Sequence, residues 1–129
     1  MATLGDSMDV SASGMRAQAL RLRISAENMA NADTPGYRRK LVGFTADREP
    51  GPQGRVTTGP VQLDQSEPAK ILDPGHPLAD AQGYRTGSNV RSVIEMADAR
   101  EAQRSYEANL RMFDQARQMS SRLLELLRR

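Results

Sequence analysis

The sequence predicts a mainly α-helical fold. Long N- and C-terminal helices form an antiparallel coiled-coil hairpin, with a small β-hairpin or extended segment in the middle. Three observations predict it. Apolar residues recur at heptad spacing near both ends of the chain. The stretch between is rich in Gly, Pro and polar residues. Only 38% of the 129 residues are hydrophobic and 4% aromatic, little apolar surface with which to offset the conformational entropy of a separate globular core. Such a chain is expected to draw part of its order from neighbours.

The first helix, within an N-terminal segment 1–31, carries Met8, Ala12, Met15, Ala19, Leu22, Ala26 and Met29 at alternating spacings of four and three, with Leu20 and Ile24 widening the seam. Asp6 or Ser7 can cap it, and it runs to about Asn31. Gly14 costs about 1 kcal/mol relative to Ala inside a helix. A close helix–helix approach or a frayed first turn would each account for it.

The second helix lies in residues 90–129. Ala99, Ala102, Tyr106, Asn109, Phe113, Ala116, Ser120, Leu123 and Leu127 form its seam. Leu110, Met112, Met119, Leu124 and Leu126 flank that seam, more apolar surface than one partner helix covers. Ser92 and Glu95 have capping-box spacing, and Asn89 is a second candidate cap. Arg91–Glu95, Glu107–Arg111 and Glu125–Arg129 are spaced as i,i+4 ion pairs, and Arg128 and Arg129 suit the negative end of the helix dipole.

The middle segment, residues 32–89, holds short strand candidates at 41–44, 56–63 and 70–72, separated by turn residues. It opens with Asn28-Met29-Ala30-Asn31-Ala32-Asp33-Thr34-Pro35-Gly36-Tyr37. Asn31 suits a left-handed helix stop, and Thr34-Pro35-Gly36-Tyr37 a type II turn with positive φ at Gly36. Tyr37 adds an aromatic anchor with a polar tip. The turn is expected to aim the middle segment away from the coiled coil. A second cluster is Asp73-Pro74-Gly75-His76-Pro77-Leu78, followed by Asp80 and by Gly83-Tyr84.

Several function classes find little support. There is no cysteine, so no disulfide framework and no thiolate metal site. The first residues lack the basic and apolar regions of a Sec signal, and no run of about 20 apolar residues offers a membrane span. A metal or catalytic role for His76 with Asp73 and Asp80 competes with a rigid turn in which Asp73 makes an Asx-turn. No nucleophilic triad, phosphate loop or zinc spacing is present, so no catalytic residue, cofactor or metal is assigned. The net charge of +2 is diffuse: residues 90–129 hold eight Arg against six acids. Arg38-Arg39-Lys40 is the densest basic run and reads as exposed linker charge, so nucleic acid is not an expected partner.

The Asn-x-x-Asn-x-x-Thr-Pro-Gly-Tyr pattern at 28–37 resembles the motif after the first helix of flagellar rod and hook proteins. The 73–84 segment, Asn89-Val90, Glu95-Met96 and Ala102 to Asn109 are similar to the FlgC family of proximal-rod proteins. The chain departs from that family at Leu72, where an aromatic is usual, and at Gly87-Ser88, where Tyr-Pro is common. The resemblance implies a non-enzymatic structural subunit of the basal-body proximal rod. It implies assembly with itself, with other rod proteins, with the membrane-ring and export-gate base and with hook–basal-body components. It also implies export to the periplasm through the flagellar type III channel without a cleaved signal. Asn28, Asn31, Thr34 to Tyr37, Asp73, Pro74, Gly75, His76, Pro77, Gly83, Tyr84, Tyr106 and Asn109 are then assembly residues. Met8, Met15, Leu22, Met29, Phe113, Leu123 and Leu127 are seam residues. A helical-hairpin adaptor of another assembly is the alternative.

Overall fold

A computed structural model describes residues 2–128. Two helices carry most of the chain, α1 (Leu4–Ala30) and α2 (Ser92–Leu127). They pack antiparallel: Gly14 of α1 lies against Asn109 of α2, and Arg21 reaches Asp98 and Glu101. Among the described residues, no helix is long and apolar enough to cross a membrane.

α1 starts one turn earlier than its expected cap. Thr3 is the N-cap, accepting from the Asp6 N–H at 3.1 Å while the Asp6 carboxylate accepts from the Thr3 N–H at 2.8 Å. Asp6 therefore serves as the third residue of a capping box and not as the cap. At α2 the capping-box expectation fails. Arg91 holds the N-cap position with no side-chain cap bond, because the Glu95 carboxylate is drawn inward to Arg39. The pairs Arg91–Glu95 and Glu107–Arg111 are not formed among the described residues, and Arg129 lies outside them.

The most buried positions of α1 lie beside its Met and Leu residues, and the seam's flanking Ile24 is among them. Ser11, Ala17, Ile24, Ser25 and Asn28 are buried, and Gly14 stands against Asn109. Met15 and Leu22 follow Gly14 and Arg21 by one residue, about 100° round the helix. With Met8 and Met29 they are half-buried on its flank. At Gly14 the missing side chain lets α1 approach Asn109 of α2. A Cβ on Gly14 would sit 2.8 Å from Asn109 Nδ2, so close approach, and not fraying, accounts for the glycine.

On α2 the predicted seam residues are buried or half-buried as far as Ser120. Ala102 and Ala116 are buried, and Ala99, Tyr106, Asn109, Phe113 and Ser120 are half-buried. Leu123 and Leu127 are 52% and 82% exposed instead. The 36 residues of α2 span about 54 Å and the 27 of α1 about 40 Å. The last turns of α2 consequently overhang the end of α1, taking Leu124 and Leu126 into solvent with them.

The middle segment forms three two-stranded antiparallel ladders. β1 (Lys40–Leu41) pairs with β4 (Gln62–Leu63), β2 (Phe44–Ala46) with β3 (Val56–Thr58), and β5 (Lys70–Leu72) with β6 (Tyr84–Thr86). The first two ladders are one kinked hairpin, bridged by the Gly59 N–H to Gly43 carbonyl bond at 2.9 Å. The β5–β6 hairpin exceeds the single hairpin read from sequence. The segment does not point away from the helices. Val56 N–H donates to Ser13 Oγ at 3.1 Å, and Arg55 reaches Asp9 at 3.6 Å, so the kinked hairpin lies back along α1.

Candidate functional site

The motif at 28–37 closes one end of the helix pair. Asn31 caps α1 with φ −105°, so the helix does not end in the left-handed conformation expected from sequence. Its side chain works in both directions: Nδ2 donates to the Glu27 carbonyl at 2.9 Å, and Oδ1 accepts from Thr34 Oγ1 at 3.1 Å. The Thr34 carbonyl accepts from Tyr37 N–H at 3.1 Å, closing the turn over Pro35 and Gly36. Gly36 has φ 73°, the left-handed region where a Cβ is unfavourable.

Asn28 is the centre of this closure and is 1% exposed. Its Oδ1 accepts from the Tyr37 hydroxyl at 2.9 Å and from Lys40 N–H at 2.9 Å, and its Nδ2 donates to the Lys40 carbonyl at 3.0 Å. One helical side chain thereby mimics a strand partner for Lys40 and starts the chain back along α1. Lys40 Nζ completes the turn by pairing with Glu27.

A second strand of contacts joins this turn to the start of α2. Gly36 N–H donates to the Gly87 carbonyl at 3.1 Å, and Ser88 Oγ donates to the Ala32 carbonyl. Asn89 accepts from Arg39 N–H at 2.6 Å and donates to the carbonyls of Asp64 and Ser66 at 3.0 and 3.1 Å. The Arg39 guanidinium then reaches three carboxylates. It pairs with Glu95, with Asp98 at 2.8 Å, and with Asp64 at 3.9 Å. Glu95 is 1% exposed, a fully buried carboxylate.

The electrostatics follow the contacts. Burial raises the Tyr37 pKa, helped by the Glu27 charge, opposed by Lys40 and helped again by Glu95. Burial works to lower the Arg39 pKa, but the hydrogen bond and charge of Glu95, with Asp98 and Asp64, raise it overall. Hydrogen bonds from the Ser66 backbone and side chain lower the Asp64 pKa. The hydrogen bond to Glu27 raises that of Lys40.

The second sequence cluster stands apart from this closure, in the β5–β6 hairpin. Asp73 pairs with Arg85 at 3.2 Å through its carboxylate, and its carbonyl accepts from His76 N–H at 3.0 Å. The expected Asx-turn at Asp73 is thus replaced by a side-chain ion pair. His76 Nδ1 accepts from Leu78 N–H at 3.0 Å, across Pro77. Asp80 accepts from the N–H groups of Gln82 and Tyr84 at 2.9 Å each. Pro74 and Gly75 follow Asp73 into an exposed turn, and Gly83 N–H donates to the Asp80 carbonyl at 3.0 Å. Each titratable group is spent on a turn bond or ion pair of its own. Tyr106 and Asn109 lie elsewhere again, in the helix interface; Asn109 Nδ2 donates to the Ser105 carbonyl at 3.0 Å.

Sequence reading missed Ser88, Asn89 as a cross-brace, and the Arg39–Glu95 pair. Arg39 reads as linker charge because its partners lie 56 and 59 residues away. The one available signal is Glu95 in the first turn of a helix that another cap could have served.

Two flagellar rod families match this helix pair, one over α1 and the closing turn and one over the end of the middle segment and α2. The family described as "Flagella basal body rod protein" matches residues 8–38. That described as "Flagellar basal body rod FlgEFG protein C-terminal" matches residues 81–126. The chain is 41% identical to the flagellar basal-body rod protein FlgC of Agrobacterium fabrum, over 99% of this chain and 98% of that one. It is 38% identical to FlgC of Salmonella typhimurium, over 92% and 93% of the two chains. To FlgC of Aquifex aeolicus it is 33% identical, over 97% and 98%. This chain belongs to the FlgC family of flagellar basal-body rod proteins.

Proposed function

We propose that the chain is a structural subunit of the proximal rod of the bacterial flagellar basal body. One observation carries the reading: similarity to curated rod proteins runs along nearly the whole chain, through both helices and the closure between them. The exposed leucines at the end of α2 and the half-buried methionine flank of α1 support polymerisation, because each leaves apolar surface that the chain itself does not cover. Contacts made by different patches on neighbouring subunits propagate instead of closing, and so build a helical tube.

The partners in this reading are other copies of the chain, other rod proteins, the membrane-ring and export-gate base, and further hook–basal-body components. The chain reaches the periplasm unfolded through the flagellar type III channel and pairs its helices there. The role requires no catalysis, cofactor or metal. Deletion of the gene tests the reading. The expected strain is non-motile and makes neither hooks nor filaments, and a plasmid copy restores both. A deletion strain that still builds hooks removes the assignment.

A further inference from the structure

Arg39 sits where four parts of the fold converge. Its backbone N–H is held by Asn89, ahead of α2. Its guanidinium pairs with Glu95 and Asp98 on the first turns of α2, and with Asp64 beyond β4. Asp98 is shared in turn with Arg21 of α1, at 3.5 Å. A planar fork that meets carboxylates in fixed directions specifies an orientation, which a lysine or an apolar group does not. The energetic side is different. Glu95 is fully buried, and the desolvation of a buried carboxylate offsets much of what its pairing gains.

We infer that Arg39 is the positioning residue that sets the angle of the middle segment on the helix pair, and that its pairing with Glu95 and Asp98 supplies geometry more than stability. The consequence for assembly rests on the rod-subunit reading. A subunit whose middle segment sits at one defined angle presents one relation between its strand hairpins and its helix ends, as a helical lattice requires.

The test uses the full chain with spin labels at two exposed sites, Gln65→Cys beyond β4 and Gln103→Cys on α2. The chain has no native cysteine, so these labels are the only ones attached. Four backgrounds are compared: native, Glu95→Gln, Arg39→Lys, and the double variant Arg39→Met with Glu95→Met. Glu95→Gln removes the charge opposite Arg39 and lowers the thermal midpoint. The double variant is expected to melt close to the native chain, since an apolar pair removes the desolvation cost along with the attraction. Its label-to-label distance distribution broadens, as does that of Arg39→Lys. Its incorporation into purified basal bodies falls about tenfold, an assembly effect of roughly 1.4 kcal/mol. A native-width distribution in the double variant or in Arg39→Lys overturns the inference. So does a double variant that melts as low as Glu95→Gln, which would make the pair a stability element. The rod reading fails separately, if the native chain is absent from basal bodies, and the distances measured on purified protein still decide the role of Arg39.

Discussion

Replacing Asn28 by Ala removes the centre of the closure without touching either helix backbone. Three groups lose their partner together: the Tyr37 hydroxyl, the Lys40 N–H and the Lys40 carbonyl. Each polar group left unsatisfied in a buried place costs about 1–3 kcal/mol. Tyr37 and Lys40 are half-buried, so water recovers part of that loss for both. The net expectation is a destabilisation of about 2–4 kcal/mol, or roughly 10 °C in thermal midpoint for a chain of this size. Tyr37→Phe deletes one of the three bonds and should cost about 0.5–1.5 kcal/mol. The two changes share a bond, so the double variant should cost less than their sum. Urea unfolding of the four proteins followed by circular dichroism gives the cycle. A cost below about 0.5 kcal/mol for Asn28→Ala, the range of ordinary surface changes, would refute the idea that this side chain holds the closure.

Gly14→Ala gains about 1 kcal/mol of helix propensity but forces a Cβ to within 2.8 Å of the Asn109 amide, an overpacking cost of about 1–3 kcal/mol. Net destabilisation is expected, and adding Asn109→Ala should relieve it in the same unfolding assay. Tyr37 has its pKa raised above the ordinary 10.0, so its contribution is fully present below that pH. Above it the unfolded chain ionises first, and the contribution is lost as pH rises through the folded pKa. Thermal midpoints measured from pH 9 to 12 (a range set by the usual tyrosine pKa of about 10) should fall less steeply for Tyr37→Phe. Leu123→Ser with Leu127→Ser should change the stability of the isolated chain by no more than about 0.5 kcal/mol, because both side chains are exposed. The same variant should be secreted normally and recovered poorly in basal bodies by immunoblot.

Both helices were legible in the sequence because their period is local and runs for many turns. The rotation of α1 was legible only in part, at Gly14 and Ile24. Counting apolar residues selects Met8, Met15, Leu22 and Met29, whereas the interface selects for how closely two backbones can approach. Ser11, Gly14 and Ala17 meet that second criterion and register weakly in a hydrophobic pattern. On α2 the small and large seam residues share one stripe, so the pattern and the interface agree as far as Ser120. The exposed Leu123 and Leu127 depend on the relative lengths of the two helices, which their periodicity does not encode. The motif around Asn28 showed its helix stop and turn, since Pro35 and Gly36 act locally. It did not show that Asn28 holds Lys40, because a side chain standing in for a strand leaves no periodic trace. Glu95 is the clearest case. A capping-box spacing is a local rule, and Arg39 outcompetes it with a charged, forked partner that only the tertiary fold delivers.

A rod subunit is found inside the rod itself. Quantitative mass spectrometry of basal bodies, purified after the filament has been dissolved away, tests it most directly. Peptides from α1, the middle segment and α2 should appear at a constant ratio to the membrane-ring proteins, retained through washes that remove loosely bound material. Intact basal bodies carrying hooks but lacking those peptides would contradict it.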